Sequence, residues 1–275
     1  MKTRVLTALA GVPVLIAALV IRGWFAEILI VCLTLVGLRE CYQALFTAGY
    51  KPCVLGGYLA AAVMWPLSLL LGATDPLLLV AAAMGVSMSG VILSKEPSFP
   101  DAAASVYPLL ACLMPFSMFM MMLNTTYGTV PGVALITMAF CIAYGCDILA
   151  YLGGRTFGKH KLCPTVSPKK TVEGAVSGVL GGVLFALACR ALFVHAFNMP
   201  MPGIPAAIFL GLVGSYAGQI GDLTASLLKR HSGLKDYGKL FPGHGGVMDR
   251  FDSIAAVALV MLMLCALPQM GFFYA

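Results

Sequence analysis

Five of the eleven acidic residues in this sequence stand where they can do chemistry. Asp147, Glu173, Asp222, Asp249 and Asp252 all fall at the ends of apolar stretches in the C-terminal half. Asp222 is the most telling, because it lies seven residues before Lys229 in an otherwise apolar run. On a helix that places it about 10 Å below the end, where a carboxylate costs about 2.5 kcal/mol or more unless it faces a cavity, a cation or a metal. A salt bridge to a neighbouring Lys or Arg would also account for it. Asp249 and Asp252 are three apart at the start of the last apolar run, and so share a helical face. Helix capping explains one such acid better than two. Carboxylates from several helix ends supply hard oxygen ligands to Mg²⁺, which completes its shell with waters and substrate phosphates.

Cations to receive those phosphates are close by. In Ser167, Pro168, Lys169, Lys170 the serine reads as a helix N-cap and the proline as the first helical residue. Two ammonium groups then meet a helix start, which binds phosphate; anchoring to lipid head groups is the alternative. Gly153 to Lys159 has the spacing of a P-loop, but His160 stands where Ser or Thr is required and no strand precedes it. Its glycines read instead as a flexible turn that lets Arg155 approach an anion. His244, in Pro-Gly-His-Gly-Gly just before the two aspartates, is placed to donate to a phosphate or leaving group, or simply to serve the turn. His160, His195 and His231 read as bystanders.

The elements that must position these groups are set by composition. The chain is 60% hydrophobic and only 10% charged over 275 residues, with mean hydropathy +0.96. Soluble globular and disordered classes are excluded, and a net charge of +6 must be read by topology rather than as a nucleic-acid patch. Apolar runs at about 5–21, 24–38, 54–71, 76–93, 105–123, 130–151, 173–197, 204–228 and 252–268 predict nine membrane helices in an all-α, polytopic integral membrane protein. The first run, followed at once by Arg22 and a second run, reads as an uncleaved span. Of the 17 Lys and Arg, all but Arg22 and Arg190 fall on the even-numbered side, which places the N-terminus and the chemically rich loops in the cytoplasm. Those loops, 152–172 and 229–251, put the active site at the cytoplasmic ends of the C-terminal helices. About five N-terminal spans (1–128) then precede a catalytic part (129–275) within one membrane domain. Gly174, Gly178, Gly182, Gly214 and Gly218 suit close helix packing. The nine cysteines show neither zinc nor disulfide spacing.

Residues 226–252 read SLLKRHSGLKDYGKLFPGHGGVMDRFD. This stretch resembles the signature of the phosphatidate cytidylyltransferases, or CDP-diacylglycerol synthases: Ser226, Lys229, Arg230, Lys235, Asp236, His244, Gly245, Gly246, Asp249, Arg250 and Asp252 fill its specified positions. Upstream, Asp147, Ala150, Tyr151, Gly154, Arg155 and Gly158, then Ser167 to Thr171, Glu173 and Gly174, resemble the family's second recurring stretch. The likeness covers roughly residues 140–260.

The resemblance implies transfer of a cytidylyl group from CTP to phosphatidate, releasing pyrophosphate, for phospholipid biosynthesis. It further implies dependence on Mg²⁺, alone or with a second cation, a homodimer, and the bacterial cytoplasmic membrane as location. Two anions must be brought together, so cations have to cancel their repulsion; the lipid phosphate is already ionised and needs no strong base. By matching positions, Asp222 and Asp249 are the principal expected metal ligands, serving one ion, with Asp252, Asp147 and Glu173 secondary. Lys169, Lys170, Lys229, Arg230, Lys235 and Arg250 are expected to clamp phosphates, and Ser226 to line the pocket or bond within its helix. The competing reading is a transporter of a phosphorylated metabolite or cation, against which the one-sided clustering of charge speaks.

Overall fold

The computed structural model describes residues 13–21, 23–71, 75–127, 129–243 and 245–265. Lys2, Arg4, Arg22 and His244, and the start of the first expected span, lie outside them. Helix makes up 78% of the described residues, as the bilayer requires when every backbone polar group must be satisfied within its own segment. Five helices among the described residues are long and apolar enough to cross a membrane. They are α1 (Gly23–Thr47), the stretch Phe99–Asn124, α6 (Gly132–Phe157), α7 (Val172–Phe197) and α8 (Ile204–His231). Three of the other expected spans fall on shorter or more polar helices. The helices α2 (Leu55–Leu71) and α3 (Pro76–Ile92) have 17 residues each, and α9 (Met248–Cys265) opens on Asp249, Arg250 and Asp252.

The chain forms two compact units. The first joins the described residues up to Asn124 with Leu228–Phe251. Its core is Leu38, Cys41 and Tyr42 of α1, Met64 of α2, and Leu109, Leu113, Phe116 and Met120, all fully buried. The Phe99–Asn124 stretch comprises α4 (Phe99–Pro108), a π-helical turn (Leu109–Leu113) and α5 (Met114–Asn124). Pro108 and Pro115 flank this turn, each without an N–H to bond back, and between them the helix widens, with the Met114 N–H bonding the Leu109 carbonyl. In the second part of this unit, Gly233 takes φ +68° and the Leu234 N–H bonds the Lys229 carbonyl at 2.8 Å. That closes α8 in the way helices commonly end.

The second unit comprises Thr125–Leu227 and the described residues from Asp252. Its closest pair is α6 against α7. A Cβ on Gly178 would meet Ala150 at 3.0 Å and the Cys146 carbonyl at 3.1 Å, and one on Gly174 the Ala150 carbonyl at 2.8 Å. The backbones touch, as small residues allow in membrane helices. A Cβ on Gly214 or Gly218 would meet the Val257 side chain of α9, at 3.2 and 3.1 Å.

Two local expectations do not hold in the structure. The segment Gly153–Gly158 is no flexible turn: α6 continues to Phe157, because Gly153 and Gly154 admit Ser177, Thr171 and Gly174 against its backbone. Nor is Ser167 a helix cap. Ser167–Thr171 is strand β2, paired antiparallel with β1 (Lys161–Cys163) across a bulge between Lys161 and Cys163. Pro168 has no N–H to lose from a ladder and is tolerated at such an irregularity. The cap of α7 is Thr171, whose Oγ1 accepts the Gly174 N–H at 3.1 Å. Lys169 and Lys170 therefore project from a hairpin, not from a helix start.

Candidate active site

In the second unit the hairpin faces the last turns of α6 across a cleft of ≈ 310 Å³. Asp147, Tyr151 and Arg155 of α6, Lys169 and Lys170 of β2 and Gln219 of α8 line it. Lys170 Nζ lies 2.5 Å from Asp222 Oδ2, with both side chains just over a quarter exposed. Asp222 is thus stabilised as an ion pair, the arrangement left open by its depth in an apolar helix. Ser226 Oγ donates to Asp222 Oδ1 at 3.3 Å, so the serine bonds within its helix and also orients the carboxylate. Gln219 Nε2 donates to the Ala175 carbonyl at 3.0 Å, which holds its amide at the cleft.

Glu173, expected as a secondary metal ligand, anchors the hairpin. Its carboxylate lies 2.6 Å from His160 Nδ1 and accepts the N–H groups of Lys159 at 3.1 Å and His160 at 3.2 Å. His160, read as a bystander, is therefore part of the scaffold that holds Lys169 and Lys170.

In the first unit, Lys229 and Asp249 form a second ion pair at 2.8 Å, with side-chain exposures of 11% and 3%. Asp249 Oδ2 also accepts the N–H groups of Tyr237 at 2.7 Å and Gly246 at 2.9 Å. Both of its oxygens are engaged, and a cation could take Oδ1 only by displacing the Lys229 ammonium. That ammonium also sits 5.4 Å from the centre of the Tyr237 ring, an added cation–π attraction. Burial pushes the Tyr237 hydroxyl well above the ordinary phenol range, so it stays a neutral donor. Lys235, Lys239 and Arg250 border an open cleft beside the Phe241–Gly245 turn, and Arg230 is exposed in the last turn of α8. Asp252 Oδ1 accepts the Ser253 N–H at 2.7 Å.

Sequence reasoning missed Gln219, the burial of Tyr237, and Glu40 of α1, a carboxylate only 6% exposed. Glu40 lies just past the apolar run 24–38 and beside Arg39, so its spacing gave no signal of burial.

Mg²⁺ takes one or two carboxylates and completes its shell with waters and phosphates. The cleft of the second unit offers that set: Asp147 on its wall, Asp222 paired to a wall lysine, and cations for the phosphates. Among the described residues no three His, Cys, Asp or Glu gather as a cage, so phosphate oxygens would supply the remaining ligands.

This is a helical membrane protein in which lysines pair with carboxylates near helix ends. The family model of the cytidylyltransferase family matches residues 2–267, and the chain belongs to that family. It is 33% identical over 261 residues to the phosphatidate cytidylyltransferase of Staphylococcus haemolyticus, covering 94% of this chain and 96% of that protein. It is 36% identical over 203 residues to the phosphatidate cytidylyltransferase of Haemophilus influenzae, covering 69% of this chain and 66% of that one. With the Staphylococcus aureus (strain COL) protein of the same name it shares 40% over 176 residues, 62% of each chain.

Proposed function

We propose that the chain transfers the cytidylyl group of CTP to phosphatidate, giving CDP-diacylglycerol and pyrophosphate. The observation that carries this reading is the cleft in which Arg155, Lys169 and Lys170 face Asp147, with Asp222 bound to Lys170, in a chain of the cytidylyltransferase family. An oxygen of the lipid phosphate attacks the α-phosphorus, and the bond to the pyrophosphate bridging oxygen breaks. Lys169, Lys170 and Arg155 bind the phosphates and cancel their repulsion, and positioning with charge neutralisation carries most of the barrier reduction. The pairing with Asp222 orients the Lys170 ammonium before substrate arrives. Glu173 keeps the hairpin in register, and Asp249 holds Lys229 and the loop beside it. Asp222, with Asp147 beside the same cleft, is the proposed holder of Mg²⁺, which when bound supplies charge stabilisation to the transferring phosphates.

Purified protein given α-phosphate-labelled CTP, phosphatidate and Mg²⁺ should place label in lipid. Labelled nucleotide crossing sealed vesicles without lipid labelling would support transport instead.

Replacing both Lys169 and Lys170 by Ala should chiefly raise KM for CTP or phosphatidate, by about tenfold or more if a charge-assisted bond worth about 1.5–3 kcal/mol is lost. Unchanged kinetics would reassign the lysines to interfacial anchoring.

The reading includes nine spans, a homodimer, and cytoplasmic placement of both charged segments, supported by the 15 of 17 basic residues on one side. Leu240 is 52% exposed. Leu240→Cys, in a variant without native cysteines, should react with an impermeant thiol reagent only from the cytoplasmic side. Labelling from outside would overturn the orientation and with it access to cytosolic CTP.

A further inference from the structure

We propose that Glu40 is a positioning residue for the loop 232–247, fixing that loop and the start of α9 from the N-terminal part of the chain. The inference rests on the reading that this loop serves cytidylyl transfer. Glu40 Oε1 accepts the Val247 N–H at 3.1 Å and Oε2 the Met248 N–H at 2.9 Å. These are the first donors of α9, which have no partner within the helix. Val247 occupies the cap position, and its side chain has no acceptor to offer. The cap comes instead from 207 residues away, with a negative charge that suits the positive end of the helix dipole.

Steric evidence places the same carboxylate against the loop itself. A side chain on Gly238 or Gly246 would overlap Glu40 Oε1. Neither glycine has a positive φ, so it is the seated Glu40 carboxylate, not an unusual backbone conformation, that a side chain at either position would have to displace. Asp249 grips the other side through the Tyr237 and Gly246 N–H groups while holding Lys229. The loop is therefore clamped between two carboxylates. Asp249 belongs to the segment it restrains, whereas Glu40 refers that segment to a transmembrane helix. Both Glu40 oxygens are spent on backbone donors, which assigns it to geometry and not to contact with substrate.

The test uses the full-length detergent-purified protein and the variants Glu40→Ala, Glu40→Gln, Gly246→Ala and Glu40→Ala/Gly246→Ala, with Asp249→Asn as reference. Loss of two charge-assisted bonds in Glu40→Ala should lower kcat about tenfold or more while KM for CTP stays within about twofold. Hydrogen exchange should quicken at residues 237–248 and stay unchanged in α6 and α7. Glu40→Gln keeps one acceptor oxygen and should fall between. Gly246→Ala should lose activity by collision with Glu40 and regain at least about threefold when Glu40 is also Ala, a non-additivity expected only of touching residues.

Glu40→Ala with wild-type kcat, or with lower thermal stability but unchanged kcat per folded molecule, would overturn the proposal. So would effects that simply multiply in the double variant. If Glu40→Ala does not fold, Glu40→Gln and the exchange rates of Gly246→Ala decide. If Glu40→Ala stays active while Asp249→Asn is dead, the role of Glu40 alone fails; if Asp249→Asn is also fully active, the underlying reading of the loop fails.

Discussion

Asp222→Asn should lower kcat by at least about a hundredfold, a barrier increase of about 2.7 kcal/mol, in protein that folds and melts nearly as the wild type does. The two halves of that expectation come from different features of the Lys170–Asp222 pair. Both side chains are just over a quarter exposed, and ion pairs that reach solvent contribute about 0–1 kcal/mol to stability. Its removal should therefore cost little folding energy. For the reaction the same carboxylate is proposed both to orient the lysine that meets phosphate and to offer charge to Mg²⁺. An amide keeps an oxygen but brings no charge, so Asp222→Asn should also need more Mg²⁺ for half-maximal rate. The decisive measurement is kcat across a Mg²⁺ titration. A variant that keeps more than about a tenth of wild-type kcat, a deficit under about 1.4 kcal/mol, removes Asp222 from the metal site, and one that loses thermal stability while its specific activity survives makes the pair structural.

Asp249→Asn should be as damaging to kcat and, unlike Asp222→Asn, should also destabilise the fold. Asp249 is 3% and Lys229 11% exposed, and removing one partner of a buried pair leaves an uncompensated charge at a cost of about 3–5 kcal/mol. The amide also presents N–H either to the ammonium or to the Tyr237 and Gly246 donors that Oδ2 now satisfies. Structure and chemistry are separable by adding Lys229→Met, which removes the orphaned ammonium. Thermal stability should recover in part, since apolar replacement of a buried pair is tolerated, while kcat should not recover. Recovery of both together would reduce the Lys229–Asp249 pair to a structural brace.

How much of this was legible in the sequence follows from the range of the interactions concerned. Membrane character and helical class depend on sums over neighbouring residues, and composition and hydropathy report those directly. The depth of Asp222 follows from its spacing to Lys229, and the likeness of residues 226–252 to the cytidylyltransferase signature is a property of the string itself. The helix packing role of Gly174, Gly178 and Gly214 was likewise legible, because small residues at helical spacing have few other uses.

Other features were decided by pairing. Ser167–Pro168 carries the local pattern of a helix start, yet the hydrogen bonds offered by Lys161–Cys163 make it a strand and pass the cap to Thr171. Gly153 and Gly154 look like a turn in isolation, but α7 lies so close that helix is kept. The partner of Asp222 proves to be Lys170, and the cap of α9 proves to be Glu40. Spacing along the chain told that a deeply placed carboxylate needs a partner. Which partner it has was settled only by the packing of elements far apart in sequence, because the energy of a buried charge is determined by the groups a few ångströms away in space.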